Sequence, residues 1–388
     1  MGTLQARLAS RTARTNVPRF VNLLPGDPAP RFFARSSANP RYLFDVSAGR
    51  NLVLCFLGSA AHPHCQAALK AALKRRDLFD DVHASFFGVS MDPKDESEER
   101  LKTVLPGYRH FWDFDHAIGK LYGASSIDAG ETGIVGKWVI IDPTVRVISV
   151  IPFRADGGDI AEAIDLVASL PPPGRIAGMD VQAPVIVMDR VVEPELCRYL
   201  IGLYNQQERE LSGFMRDIDG KTHLLHDAAH KMRRDFLLET EVDIAQMQKI
   251  VRRRIAPEIQ KVHQFAVTRM ERYLVACYSA EDEAHFRPHR DNTTKGTAHR
   301  RFAVSINLNE DFEGGELCFP EYGARTYKPS AGSAVVFSCS LLHAVTRVTR
   351  GKRYAFLPFL YDDAAAKIRE ENIGYLAAQP ERMPEDAT

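Results

Sequence analysis

No Cys-x-x-Cys pair occurs among the six cysteines of this 388-residue chain. Dithiol exchange and a four-cysteine zinc site are therefore excluded, and the irregular spacing gives no disulfide framework. A reducing, cytoplasmic setting is the expectation. Charge of one sign is also lacking, since Lys plus Arg and Asp plus Glu both number 50. Such a balance offers no broad basic surface for nucleic acid, and the one dense run, Arg252 to Arg254, reads as the solvated face of a helix. Apolar runs of bilayer length are missing, and the basic opening around Arg14 holds no signal-peptide core. Neither a nucleic acid nor a membrane is an expected partner, and no internal repeat is visible.

What is present is enough apolar sequence, 45%, for two separate cores. The break Pro171-Pro172-Pro173-Gly174 cannot continue a helix and marks the boundary. The expected organisation is a leader over 1–20, an α/β domain over 21–172, a linker over 173–182, a second domain over 183–363 and a tail over 364–388. In the first domain, buried strands are expected over 51–56 and 84–89 and helices over 65–74, around Lys102 and over 160–170. A hairpin over 138–141 and 145–150 turns at Asp142-Pro143-Thr144. The second domain opens with a helix at Glu193-Pro194-Glu195, continues with a helical stretch over 242–270 bent at Pro257, and then changes to short strands over 274–278, 302–307, 316–319, 334–337 and 354–360. Many short strands after leading helices predict a double-sheet jelly roll with helical support. A last helix is expected over 364–371.

Chemistry concentrates in the second domain. His289 and Asp291 stand two apart, which on an extended segment turns both side chains to one face. With the distant His343 they form the set of two imidazoles and one carboxylate that holds a non-haem Fe(II) and leaves positions open for small molecules. Alone, a His-x-Asp match reads equally as a surface turn in which Asp291 pairs with Arg290. His343 ends the apolar run VVFSCSLLH, read as a strand, where a polar side chain needs a partner. Arg353 opens the apolar run RYAFLPF, where a buried guanidinium needs an anion and can grip a carboxylate with two hydrogen bonds. Tyr278 can donate its phenolic proton to the same carboxylate. The rim is expected from Asn292 to Arg300 and from Ser212 to Arg234, with Arg233, Arg234 and Arg300 either meeting an anionic group or forming solvated salt bridges.

The segments VACYSAEDEAHFRPHRD, FEGGELCFPEYG and KPSAGSAVVFSCSLLHAVTRVTRGKRYAFLPFLYDD resemble the core of the prolyl 4-hydroxylase-like Fe(II)- and 2-oxoglutarate-dependent dioxygenases. The resemblance covers about residues 180 to 363. It implies a double-stranded β-helix in which His289, Asp291 and His343 hold Fe(II), while Arg353 and Tyr278 bind the 2-oxoglutarate cosubstrate. It also makes L-ascorbate a candidate accessory. The implied reaction consumes O2 and 2-oxoglutarate and hydroxylates a prolyl or other amino-acid-like target, carried on a peptide, a protein or a small molecule. Gly314-Gly315 is expected to make a tight structural turn.

The first domain resembles the thioredoxin fold in its peroxiredoxin form, through LVLCFLGSAAHPHC, GVS, DFDHAIGKLYGA and GKWVIIDP. That resemblance places Cys65 near a helix start, where amide N–H groups stabilise a thiolate, and so implies a peroxidatic cysteine. The expected Pro-x-x-x-Thr-x-x-Cys becomes Gly58-Ser59-Ala60-Ala61-His62-Pro63-His64-Cys65, and Gly136-Lys137 replaces an arginine. A thiol peroxidase acting through Cys65 and a redoxin-like binding scaffold thus both stand beside the oxygenase reading. Homo-oligomerisation is left open. Cys55, Cys277 and Cys339 are expected in cores.

Overall fold

The computed structural model describes residues 19–128, 133–176 and 178–377, so nearly all of the expected leader and the end of the expected tail lie outside the described residues. Two compact units divide between Pro172 and Pro173.

In the first unit, Asn51–Gly58 and Ala84–Ser90 are apolar runs without alternation. Such strands are stable only when covered on both faces. They pair in parallel at the centre of a five-stranded sheet, with Tyr108–Trp112 parallel on one side and Lys137–Ile141 and Val147–Pro152 antiparallel on the other. Val53, Cys55 and Leu57 pack against Ala68 and Ala72 of helix Pro63–Lys74 and against Ala163 and Val167 of helix Gly158–Ser169. The opposite face carries stacked and edge-on rings, among them Phe32, Phe44, Phe87 and Phe111. The helix expected around Lys102 does not form. The nearby helix ends at Ser97, and Val104 instead bridges to Tyr108 across Pro106-Gly107, so turn chemistry overrides helical patterning there.

The second unit is built on two sheets. In the larger, the main path runs Ile186–Met188, Ala334–Ser338, Phe302–Asn307, Lys352–Phe356, Leu274–Ser279, Arg234–Leu237 and Glu210–Leu211. Side chains alternate along these strands. Val275, Cys277, Val304 and Ile306 meet the helices Pro194–Gln206, Glu241–Ile250 and Ala256–His263 on one face. Ala276, Tyr278, Ala303 and Phe337 meet Phe286, Leu317 and Val345 of the smaller, five-stranded sheet on the other. The inner face between the sheets is where the candidate site lies. Among the described residues the strands form two facing sheets, not one closed sheet.

The helical stretch expected over 242–270 ends at His263, with Gln264 in the left-handed region at φ 52°. Its irregularity is a wide π-type turn over Val251–Ile255, immediately before Pro257, whose missing N–H the wider turn accommodates. Gly314 has φ 68°, and a Cβ there would stand 2.0 Å from the Arg347 carbonyl oxygen, so this turn admits no side chain.

Candidate metal centre

His289 ends strand His285–His289, and His343 opens strand His343–Val345. The second placement corrects the sequence reading, in which His343 terminates the preceding apolar strand; that strand stops at Ser338 and the chain turns before His343. The two strands are paired, with His289 directly opposite His343. Asp291 follows two residues after His289, and its N–H donates to the Cys339 carbonyl at 3.0 Å, which holds the turn against the loop preceding His343.

His289 Nδ1 donates to the Arg287 carbonyl at 2.8 Å and His343 Nδ1 to the Leu341 carbonyl at 3.0 Å. With Nδ1 committed to a carbonyl, each ring presents Nε2 to the site. Both Nε2 atoms face Asp291, at 3.6 Å and 3.3 Å from its two carboxylate oxygens. Burial, with His343 alongside, pushes His289 down to about 4, so it is neutral at physiological pH. Burial alone would raise Asp291, but the imidazoles of His343 and His289 outweigh it and hold the carboxyl below its usual range. Two imidazole nitrogens and a carboxylate oxygen thus converge, all within 4.8 Å of one another. A divalent cation reconciles that arrangement, and the donor set fits Fe(II).

Arg290 does not pair with Asp291 through the site. It forms a buried two-pronged pair with Glu321, at 2.8 and 3.1 Å, and Glu321 also accepts from the Leu342 N–H at 3.1 Å. One carboxylate therefore ties the His289-Arg290-Asp291 turn to the residue before His343. Glu321 is absent from the sequence reading because nothing in PEYG marks it as buried.

Arg353 and Tyr278 sit opposite each other on paired strands, both buried. The Arg353 guanidinium donates to Ser305 Oγ at 2.7 Å and Asn307 Oδ1 at 3.1 Å, and no carboxylate of the described residues reaches it. Burial pushes it below its usual value, with Tyr278 partly offsetting and Arg233 adding to the effect. A second guanidinium, Arg233, lies over the same phenol: the two Cζ atoms stand 5.5 and 5.6 Å from the Tyr278 ring centre. Of the three rim arginines, Arg233 is buried against Asp235, Arg234 reaches Asp282 at the surface, and Arg300 meets Glu271 at 2.8 Å. Much of the expected Ser212–Arg234 rim is in fact strand, including the hairpin Phe214–Ile218 with Lys221–Leu225.

Cys65 lies in the first turn of helix Pro63–Lys74, 2% exposed, with its thiol donating to the Leu57 carbonyl at 3.1 Å. Burial, with the carboxylates of Asp95 and Asp159 nearby, pushes that thiol up to about 12. Lys137 turns instead to the Tyr122 carbonyl. Alkylation of Cys65 in the native chain at neutral pH should accordingly run at least roughly a hundred-fold slower than in the urea-unfolded chain, because only the thiolate reacts. Time-resolved peptide mapping checks this, and labelling at the rate of a free thiol would refute it.

Residues 273–361 match the profile of the 2OG-Fe(II) oxygenase superfamily, and residues 25–150 that of the AhpC/TSA family. A PKHD-type hydroxylase of Acaryochloris marina is 43% identical over 68 residues, covering 17% of this chain and 31% of that protein. The chain thus spans about a third of the length of the curated relatives it matches. A prolyl hydroxylase of Trichoplax adhaerens, solved with a hypoxia inducible factor peptide fragment, aligns at 15% identity over 50% of this chain and 87% of its own, with TM-score 0.40. Peroxidoxin BcpB of Mycobacterium tuberculosis aligns at 22% identity over 39% and 99%, with TM-score 0.31. Among the described residues no helix is long and apolar enough to cross a membrane. The chain carries a 2OG-Fe(II) oxygenase superfamily domain fused to an N-terminal peroxiredoxin-like domain of the AhpC/TSA family.

Proposed function

We propose that this chain is an Fe(II)- and 2-oxoglutarate-dependent dioxygenase that hydroxylates a prolyl or other amino-acid-like substrate. In the balanced reaction, 2-oxoglutarate, O2 and a C–H bond give succinate, CO2 and the corresponding alcohol. The observation that carries the reading is the pairing of a two-histidine, one-aspartate cluster with a buried arginine that no carboxylate of the described residues reaches.

Fe(II), once bound by His289, Asp291 and His343, would supply the O2-activating chemistry that amino acid side chains cannot. The chain's own residues then position and shield. Arg353 holds the distal carboxylate of 2-oxoglutarate, with Ser305 and Asn307 fixing its guanidinium from behind. The Tyr278 hydroxyl, which accepts from Arg233 at 3.3 Å, keeps its own proton for that carboxylate. Phe286, Phe319 and Phe337 surround the two imidazoles and exclude water. In this reading the two facing sheets form a double-stranded β-helix with supporting helices, in a dioxygenase domain over 183–363. The buried, charge-opposed Cys65 favours a binding role for the N-terminal unit over thiol peroxidation.

The test is succinate formation by full-length protein supplied with Fe(II), 2-oxoglutarate and O2, with and without L-ascorbate. Arg353→Leu should raise the KM for 2-oxoglutarate about ten- to a hundred-fold, the loss of a charge-assisted pair, while Arg353→Lys retains part of the affinity. Wild-type protein that neither binds nor decarboxylates 2-oxoglutarate would overturn the reading.

A further inference from the structure

The inner face of the second unit holds more positive charge than the proposed reaction uses. Lys231 is 3% exposed, and Arg233 is 5% exposed. Arg272, whose side chain is 33% exposed, completes the group at its open side. One carboxylate, Asp235, serves both arginines. Asp235 takes Arg233 in a two-pronged pair at 2.7 Å on each oxygen, accepts from Ser212 Oγ at 2.6 Å, and lies 3.4 Å from Arg272. Lys231 donates to no carboxylate among the described residues. Its ammonium donates to Ser212 Oγ at 2.8 Å and the Gly213 carbonyl at 2.6 Å, which leaves one of its three N–H donors without a partner among the described residues.

These groups point at the candidate metal centre. Lys231 pairs with Phe286 across the smaller sheet, its Nζ stands 4.7 Å from the Phe286 ring centre, and that ring stacks on His289. Arg272 lies over Phe359, a residue of the inner core, at 5.9 Å.

Charge accounting leaves a remainder. Asp235 neutralises Arg233, and the distal carboxylate of 2-oxoglutarate neutralises Arg353. Asp291 and the other carboxylate of 2-oxoglutarate together balance a divalent cation. Lys231 reaches no carboxylate among the described residues, and Arg272 has only a share of the one that Arg233 already grips. They stand within a short chain of hydrogen bonds of each other, through Ser212 and Asp235. Leaving such charges unpaired in a desolvated pocket is costly, so a ligand that brings an anion is favoured over its neutral analogue. We propose that the substrate to be oxidised carries a carboxylate, which docks between Lys231 and Arg272 and thereby sets which carbon faces the metal centre. The inference rests on the oxygenase reading and specifies its substrate class. The carboxylate can be the α-carboxylate of a free amino acid or an acidic side chain beside the target residue in a peptide.

The test is binding, read by ligand-observed NMR on the full-length chain saturated with Mn(II) and 2-oxoglutarate, with propionate and propionamide as probes. Propionate should bind and propionamide should not. Lys231→Met and Arg272→Met should each weaken propionate about ten-fold, in line with loss of a hydrogen bond to a charged group, while Arg234→Met, on the surface pair with Asp282, leaves it unchanged. Thermal melts establish that each variant folds, and the partly exposed Arg272 keeps the test open if the Lys231 variant does not. Displacement of propionate by N-acetylglycine or by N-acetyl-aspartate α-amide then separates the two carboxylate sources. A chain that binds 2-oxoglutarate yet takes propionate no better than propionamide, or takes it equally in all variants, overturns the inference alone. Failure of wild type to bind 2-oxoglutarate overturns the oxygenase reading beneath it.

Discussion

His343→Ala is expected to eliminate both metal binding and succinate formation. The loss should exceed the roughly 10–100-fold drop that follows removal of a mere outer partner of a metal ligand. The reason is geometric. His289 and His343 face each other across paired strands, and Asp291 meets both imidazoles. With His343 gone, only a two-residue His-x-Asp clamp remains. Titration of Mn(II) under anaerobic conditions, followed by the succinate assay with Fe(II), measures the two effects separately. Undiminished metal affinity in the variant would remove His343 from the donor set. Retained turnover would remove the metal centre from the reaction.

The second large effect concerns stability. Asp235→Ala leaves Arg233 buried without the only acid that reaches it among the described residues. Removing one partner of a buried ion pair costs about 3–5 kcal/mol, because the remaining charge stays out of water. The urea midpoint should fall accordingly. The exposed pair Arg269 with Asp363 is equally short, 2.7 Å, yet Asp363→Ala should move the midpoint by no measurable amount, since water screens that pair. Equal shifts in the two variants would refute the distinction. The pH dependence has a definite sign. Burial acts to raise Asp235, but Arg233 and Lys231 outweigh it, and the folded carboxyl lies below its unfolded value of about 3.9. Its stabilisation is therefore complete above that value and is lost as pH falls through the lower folded one.

The difference between what the sequence reveals and what it hides follows from how far each interaction reaches along the chain. His289, Asp291, His343 and Arg353 stand out because polar groups beside apolar strands demand partners, and that demand is visible locally. The parallel core strands of the first unit are legible for the same reason, as runs too apolar to face water. Lys231, Arg233 and Asp235 were concealed within a polar stretch, since a buried charge and a solvated one are spelled alike. Their burial depends on Phe286 and Tyr278, residues brought to them by strand pairing. Cys65 is a similar case. Its place at a helix start can be read from the chain, but the field acting on it comes from Asp95 and Asp159, which only the fold assembles. Helix limits suffered where turn chemistry competed, at Lys102 and beyond His263.

The pairing of His289 with His343 has a consequence for folding as well. These residues are far apart in sequence but adjacent in the smaller sheet. An ion shared between them closes the whole intervening chain into a loop, much as a covalent cross-link would, although reversibly and in proportion to its free concentration. The segment so enclosed contains the Glu321 tie, strands Phe302–Asn307 and Ala334–Ser338 of the larger sheet, and Leu317–Cys318 and Thr326–Tyr327 of the smaller. Iron supply would then govern how long the domain survives as well as how fast it works, and scarcity would lower the standing amount of folded protein before any change in its rate constants.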